Sequence, residues 1–182
     1  MKKFILGFIA GVGIVLMVMY CSMERHQSSP QKSEQNEMIT WEKLDTFVMD
    51  NPVFKVEYPD YFKVDSTELN TGCICFYHII DGQKVSLRYF SCPNDERWDT
   101  KVAADSAAYY RITITNDSLT MRDMHKDYFF LEGVSKEKRY RFYEQYVVDK
   151  EHIYVLELVY SGGIAENKVK RLKELVHEWS PK

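Results

Sequence analysis

The stretch CICFYHII-DG-QKVSLRYF constrains this chain more than any other. Two apolar runs flank Asp81-Gly82, a pair that tolerates the positive φ angles of a type I′ turn. A two-residue turn leaves one register, in which Ile80 faces Gln83 and every pair behind it follows. Ile74, Phe76 and His78 then share a face with Val85, Leu87 and Tyr89, and strand periodicity predicts that this face is buried. RYRFYEQYVV-DKE-HIYVLELVYS reads as a second hairpin. Both of its parities are rich in apolar or aromatic residues, as expected of central strands. Gly162-Gly163 ends it.

The other elements are read around these two hairpins. ITWEKLDTFVM fits a short helix or a strand. NPVFKVEYPDYF is a strand through Tyr58, stopped by Pro59, which has no N–H to give a ladder. The corner Asp50-Asn51-Pro52 suits a turn between them. Asp95, Glu96 and Asp99 favour the start of a helix, where the dipole attracts acids. In that helix Trp98, Val102 and Tyr109 recur at helical spacing, with alanines between them allowing close packing. Strands are expected over 118–124 and 128–134. IAENKVKRLKELVHEW is an amphipathic helix with Val169, Leu172, Val176 and Trp179 on one stripe. Adjacent antiparallel strands with two separated helices give an α+β class: an antiparallel sheet packed with two helices, after an N-terminal transmembrane helix.

The N-terminus supplies that last element. Lys2 and Lys3 precede an uncharged run from Phe4 to Met23. At about 1.5 Å per helical residue it reaches about 30 Å, a bilayer's hydrocarbon thickness. The residues flanking a signal-peptidase cut, Met19 to Met23, are mostly too large, so the reading is a retained anchor. Two alternatives stand beside it: a lipoprotein modified at Cys21, although Tyr20 is large for the residue before a lipidated cysteine, and a cleaved signal. The two lysines place the N-terminus in the cytoplasm and the rest outside it. Gly7 and Gly11 form a G-x-x-x-G pair suited to a homodimer of anchors. Residues 24–38, containing ERHQSSPQKSEQNE, carry too little apolar surface to fold and read as a flexible linker. The division is therefore anchor 1–23, linker 24–38 and one globular domain 39–182.

Charge excludes one class of partner. The formal net charge is −3, and beyond Lys2 and Lys3 the chain has 22 bases against 27 acids. A nucleic-acid binder needs the opposite balance. The basic groups at Lys136, Lys138, Arg139 and Arg141, and at Lys168, Lys170, Arg171 and Lys173, have acids among them and read as solvated faces.

The element order resembles the PsbP-like superfamily, whose founding member is the extrinsic luminal subunit of photosystem II. The pieces that carry the resemblance are FKVEYPDYF, with its Tyr58-Pro59 corner, and the closing YVLELVYS…LKELVHEW. The family's corner often ends in Trp, where this chain has Phe62. The resemblance spans about 47–179 and implies a membrane-anchored bacterial member. It further implies a non-catalytic role in binding or assembly, since family members mostly act so, some on large membrane complexes and one branch on a small GTPase. It transfers no individual binding residue.

Few residues point to chemistry. There is no G-x-S-x-G elbow, P-loop, G-x-G-x-x-G or H-E-x-x-H, and no cofactor is expected. In the hairpin register Cys73 faces Phe90, which puts Cys92 diagonally across on the same face, with Cys75 sharing it. An exported location favours a Cys73–Cys92 disulfide; a Cys75–Cys92 bridge, unbridged thiols and a C-x-C metal site are the alternatives. Asp123, His125 and Asp127 alternate, so on an extended strand all three would point one way and ligate a divalent ion; a polar edge or turn is the plainer reading. His78 falls on the core face. His177 suits a helix C-terminus. Thirteen tyrosines exceed the needs of one core, and Tyr109, Tyr110, Tyr143 and Tyr146 are candidates for a partly exposed binding surface, with tyrosines half-buried across a sheet as the plainer reading. The expectation is a non-enzymatic module that binds or assembles an envelope protein complex. A glycan-binding domain and a metal-dependent hydrolase using Asp123, His125 and Asp127 are the alternatives.

Overall fold

The computed structural model describes residues 43–50, 53–65, 73–136 and 139–181. The anchor (residues 4–23), Cys21, the Gly7/Gly11 pair and the linker lie outside them. Among the described residues no helix is long and apolar enough to cross a membrane.

The elements run β1 (Leu44–Asp50), β2 (Val53–Pro59), β3 (Lys63–Asp65), β4 (Cys73–Ile80), β5 (Gln83–Pro93), α1 (Thr100–Tyr109), a π turn (Tyr110–Ile114), β6 (Asp117–Met124), β7 (Tyr128–Ser135), β8 (Tyr140–Val148), β9 (His152–Ser161) and α2 (Glu166–Glu178). The ambiguous segment ITWEKLDTFVM contributes strand β1, paired with β2 in a two-stranded sheet. The other seven strands form one antiparallel sheet in the order β3-β4-β5-β9-β8-β7-β6. The β8–β9 hairpin is central, as its doubly apolar pattern requires. The class is α+β.

The Asp81-Gly82 turn behaves as its chemistry dictates. Asp81 has φ 51° and Gly82 φ 72°, the positive pair of a type I′ turn. Ile80 pairs with Gln83 and Cys73 with Phe90. Ile74, Phe76, Val85, Leu87 and Tyr89 are all fully buried. His78 is half-buried, its ring against Tyr61 and Phe62.

Alternation along these strands builds a core on each side of the sheet. One face carries Phe76, Leu87, Tyr89, Leu156, Leu158 and Tyr160 beneath α2 and the β1–β2 hairpin. Val169, Leu172 and Val176 supply the apolar stripe of α2, each stabilising by about 1.5–3 kcal/mol on full burial. The hairpin joins through Tyr58, stacked on Phe76 at 3.8 Å, and through Tyr89, whose hydroxyl donates to the Glu57 carbonyl at 2.5 Å. The other face carries Phe90, Phe129, Leu131, Phe142, Tyr146, Ile153 and Val155, covered by α1.

Helix α1 packs differently from the expectation. Its buried residues are Thr100, Ala103, Ala104 and Ala108, whereas Val102 and Tyr109 are exposed. Small side chains let the helix axis approach the sheet closely, and the large apolar ones are turned outward. Asp99, one of the acids expected at its start, is the N-cap and accepts from the Val102 amide at 2.8 Å.

Candidate functional site

The stripe of α1 that faces the sheet continues, one turn on, to Arg111. The helix ends there in a π turn, closed by the Thr115 amide donating to the Tyr110 carbonyl at 3.1 Å. Such turns hold one residue more than an α turn. Tyr110 and Arg111 are buried within it, while Ile112 and Ile114 are exposed. Asn116, in the left-handed region at φ 55°, then turns the chain into β6; Asn adopts that conformation more readily than most residues.

Arg111 reaches three carboxylates. Its Nη1 donates to Asp117 at 3.2 Å, and its Nη2 donates to both Glu144 and Glu157, the latter at 2.6 Å. Its guanidinium carbon lies 4.2 Å from the centre of the Phe142 ring. Arg88 donates to the second oxygen of Glu157 at 3.4 Å. The Tyr146 hydroxyl donates to the second oxygen of Glu144 at 3.3 Å, and the Thr115 hydroxyl to Asp117 at 2.6 Å. Strand pairing explains the assembly: Glu144 lies opposite Glu157, and Glu157 opposite Arg88, so one row across β8, β9 and β5 carries two acids and a base. The side chains of Arg111, Asp117, Glu144 and Glu157 are 10, 2, 1 and 4% exposed.

Burial sets the electrostatics. It pushes the Glu144 carboxyl up to about 7; Arg111 opposes this and the neighbouring Glu157 charge adds to it. Burial also works against ionised Glu157, but Arg111 and Arg88 outweigh it and hold that carboxyl below its ordinary value. Arg111 stays firmly charged, because Glu144 and Glu157 overcome its own desolvation. Burial raises the Tyr146 hydroxyl well above its usual range.

The residues expected to form sites are distributed otherwise. Of the four tyrosines proposed as a surface, only Tyr109 is exposed. Tyr110, Tyr143 and Tyr146 are 8, 7 and 7% exposed. Tyr143 and Tyr146 differ in strand parity, so they enter opposite cores. The trio Asp123, His125 and Asp127 is not brought together either. Strand β6 ends at Met124, and His125 bonds Asp123 at 3.1 Å and stacks on Tyr128. Asp127 lies in the following turn, where its carbonyl accepts from Val148. Among the described residues no three His, Cys, Asp or Glu side chains converge on a metal position. Cys73, Cys75 and Cys92 are thiols, so the Cys73–Cys92 bridge is not formed in the structure. The Cys92 thiol donates to the Ile153 carbonyl, and burial pushes it up to about 11. His177, at the end of α2, stacks on Phe130 at 4.7 Å and bonds the Tyr143 hydroxyl at 3.2 Å.

The sequence reading missed the Arg111 cluster. Its signal was present: Glu144 and Glu157 each occupy a central strand at the parity of Phe142, Tyr146, Val155 and Val159. A carboxylate at an inward position of a central strand requires a buried partner.

No protein-family model and no curated protein matches the chain. Among solved structures it is similar to cyanobacterial PsbP (CyanoP) from Synechocystis sp. PCC 6803, with a TM-score of 0.51 and 14% identity. The match covers 82% of this chain and 96% of that one. The chain has a PsbP-like fold.

Proposed function

We infer, from a PsbP-like fold that seals the Arg111 cluster of ionisable groups inside it, that this domain is a binding or assembly module rather than an enzyme. Residues 4–23 hold it at a membrane, and the linker at 24–38 displays it outside the cytoplasm to a neighbouring envelope protein. The observation that carries this reading is the closure of the Arg111 cluster. An active site needs polar groups converging on a space a substrate can enter. Here all but one of the carboxylate oxygens accept from Arg111, Arg88, Tyr146 or Thr115, and the remaining one, on Asp117, is itself buried. Outward-facing Val102, Tyr109 and Ile112 favour recognition of a protein surface.

The test is photocrosslinking of the full-length chain in its native membrane, from Tyr109 and, as a control, from Lys170 on the exposed side of α2. The expected result is one stoichiometric envelope protein captured from Tyr109 and absent when residues 39–182 are replaced by an unrelated domain on the same anchor. Retention of that partner by the anchor alone overturns the reading. So does capture of glycan instead of protein, or catalytic turnover by the purified chain.

A further inference from the structure

The charges in the Arg111 cluster do not balance. Among the described residues, two guanidiniums, Arg88 and Arg111, face three carboxylates, Asp117, Glu144 and Glu157. Fully ionised, the cluster holds an excess negative charge where water cannot solvate it, which is costly. One bound proton removes the excess.

Geometry selects the carboxylate that takes it. Glu157 is served by both guanidiniums. Asp117 has Arg111 Nη1 and the Thr115 hydroxyl, and its other oxygen is buried without a partner. Glu144 shares a single nitrogen of Arg111 with Glu157, and its second oxygen receives only the long bond from Tyr146. It also stands directly across the strand pair from Glu157, an arrangement that is destabilising for like charges.

We propose that Glu144 is a proton-operated latch for the π turn. Neutral, it leaves two carboxylates for two guanidiniums, and Arg111 seats Tyr110–Ile114 on the sheet. Ionised, it adds a third buried carboxylate for two guanidiniums to share, and opening of the turn admits the water that solvates it. The turn carries the exposed Ile112 and Ile114, so the latch ties the surface there to pH.

Every packed element contributes to the setting of Glu144. The π turn brings Arg111 and Tyr110, β6 brings Asp117, β8 Tyr146, β5 Arg88 and β9 Glu157. Strand β7 offers only Leu131 opposite Glu144, and α1 presents Ala103, Ala104 and Ala108. The carboxyl is raised to about 7 by burial in the first place. A raised carboxyl favours the closed state at low pH, and that advantage is lost as pH rises through the folded value. Opening of the turn therefore grows by up to about tenfold per pH unit from the ordinary carboxylate range to about pH 7, then levels off.

Hydrogen exchange of the full-length protein in detergent, followed by mass spectrometry from about pH 5.5 to about pH 8.5, reads this opening directly. After correction for intrinsic exchange, peptides covering 110–116 lose protection up to about pH 7 and then level, while peptides from β4 and β5 do not change. In Glu144→Gln the 110–116 peptides stay protected throughout. An equal pH slope in Glu144→Gln, or no slope in the natural chain, overturns the proposal. Should Glu144→Gln fail to fold, difference infrared spectroscopy of the natural chain decides. A buried protonated carboxyl band present at about pH 6 and gone at about pH 8.5 supports the latch, and its absence throughout overturns it.

Discussion

Glu144 and Glu157 face each other on neighbouring strands and accept from the same nitrogen of Arg111. Two carboxylates side by side in a sheet repel, and the third strand answers with Arg88 opposite Glu157. The guanidinium that joins them comes from the other layer, through the π turn at the end of α1. The cluster thus links helix to sheet where alanines supply little apolar area. Helix α2 is held by full burial of Val169, Leu172 and Val176 and by Lys173, which donates to Glu132 on β7 at 2.7 Å.

Removing Arg111 leaves Asp117, Glu144 and part of Glu157 buried without their cation. Arg111→Met is expected to cost about 3–5 kcal/mol in urea unfolding. The double change Arg111→Met, Glu144→Gln is expected to recover part of that loss, because it removes one stranded charge and leaves Glu157 with Arg88, while Asp117 stays without its cation.

Gly133 tests the packing beneath the same group. A Cβ there would meet the Ser118 carbonyl oxygen at 2.4 Å and the Phe142 ring at 2.5 Å. The carbonyl belongs to strand β6, paired with β7, and the ring lies under Arg111. Gly133→Ala is expected to destabilise by about 1–3 kcal/mol, measured by thermal or urea unfolding.

The two sides of α1 should respond oppositely to substitution. Tyr109→Ser and Val102→Ala, on the exposed side, should change stability by no more than about 0.5 kcal/mol. Ala104→Leu, at a position with no exposure, should cost about 1–3 kcal/mol by forcing helix from sheet.

Cys92 should be slow to alkylate. Its thiol donates to the Ile153 carbonyl, and burial raises it to about 11, so little thiolate exists near neutral pH. Iodoacetamide should modify it slowly in the native protein and readily after unfolding without reductant. Failure to react after unfolding would reveal a disulfide.

Much of this fold was legible in the residues. Asp81-Gly82 prescribed a turn, the turn prescribed a register, and the register placed Ile74, Phe76 and Leu87 in the core. The stripe Val169, Leu172, Val176 identified one face of α2. The errors have physical reasons. Val102 and Tyr109 matched helical spacing, but spacing does not say which stripe faces the sheet, and the alanine stripe was the flatter one. The tyrosines were judged by number, although Tyr143 and Tyr146 lie on inward positions of a central strand. The Arg111 cluster joins residues 6, 33 and 46 positions apart, and only the sheet order brings them together. A π turn has no recognised residue signature, so the direction of Arg111 was not readable either.

The charged cluster is an internal latch that closes when Glu144 holds one proton. Comparing unfolding free energies of the natural chain and Glu144→Gln from about pH 5 to about pH 8 tests it most directly. Because folding raises the Glu144 carboxyl, the natural chain should lose stability relative to the variant as pH rises to about 7, with the difference constant above. A natural chain that gains on Glu144→Gln over that range would contradict the account.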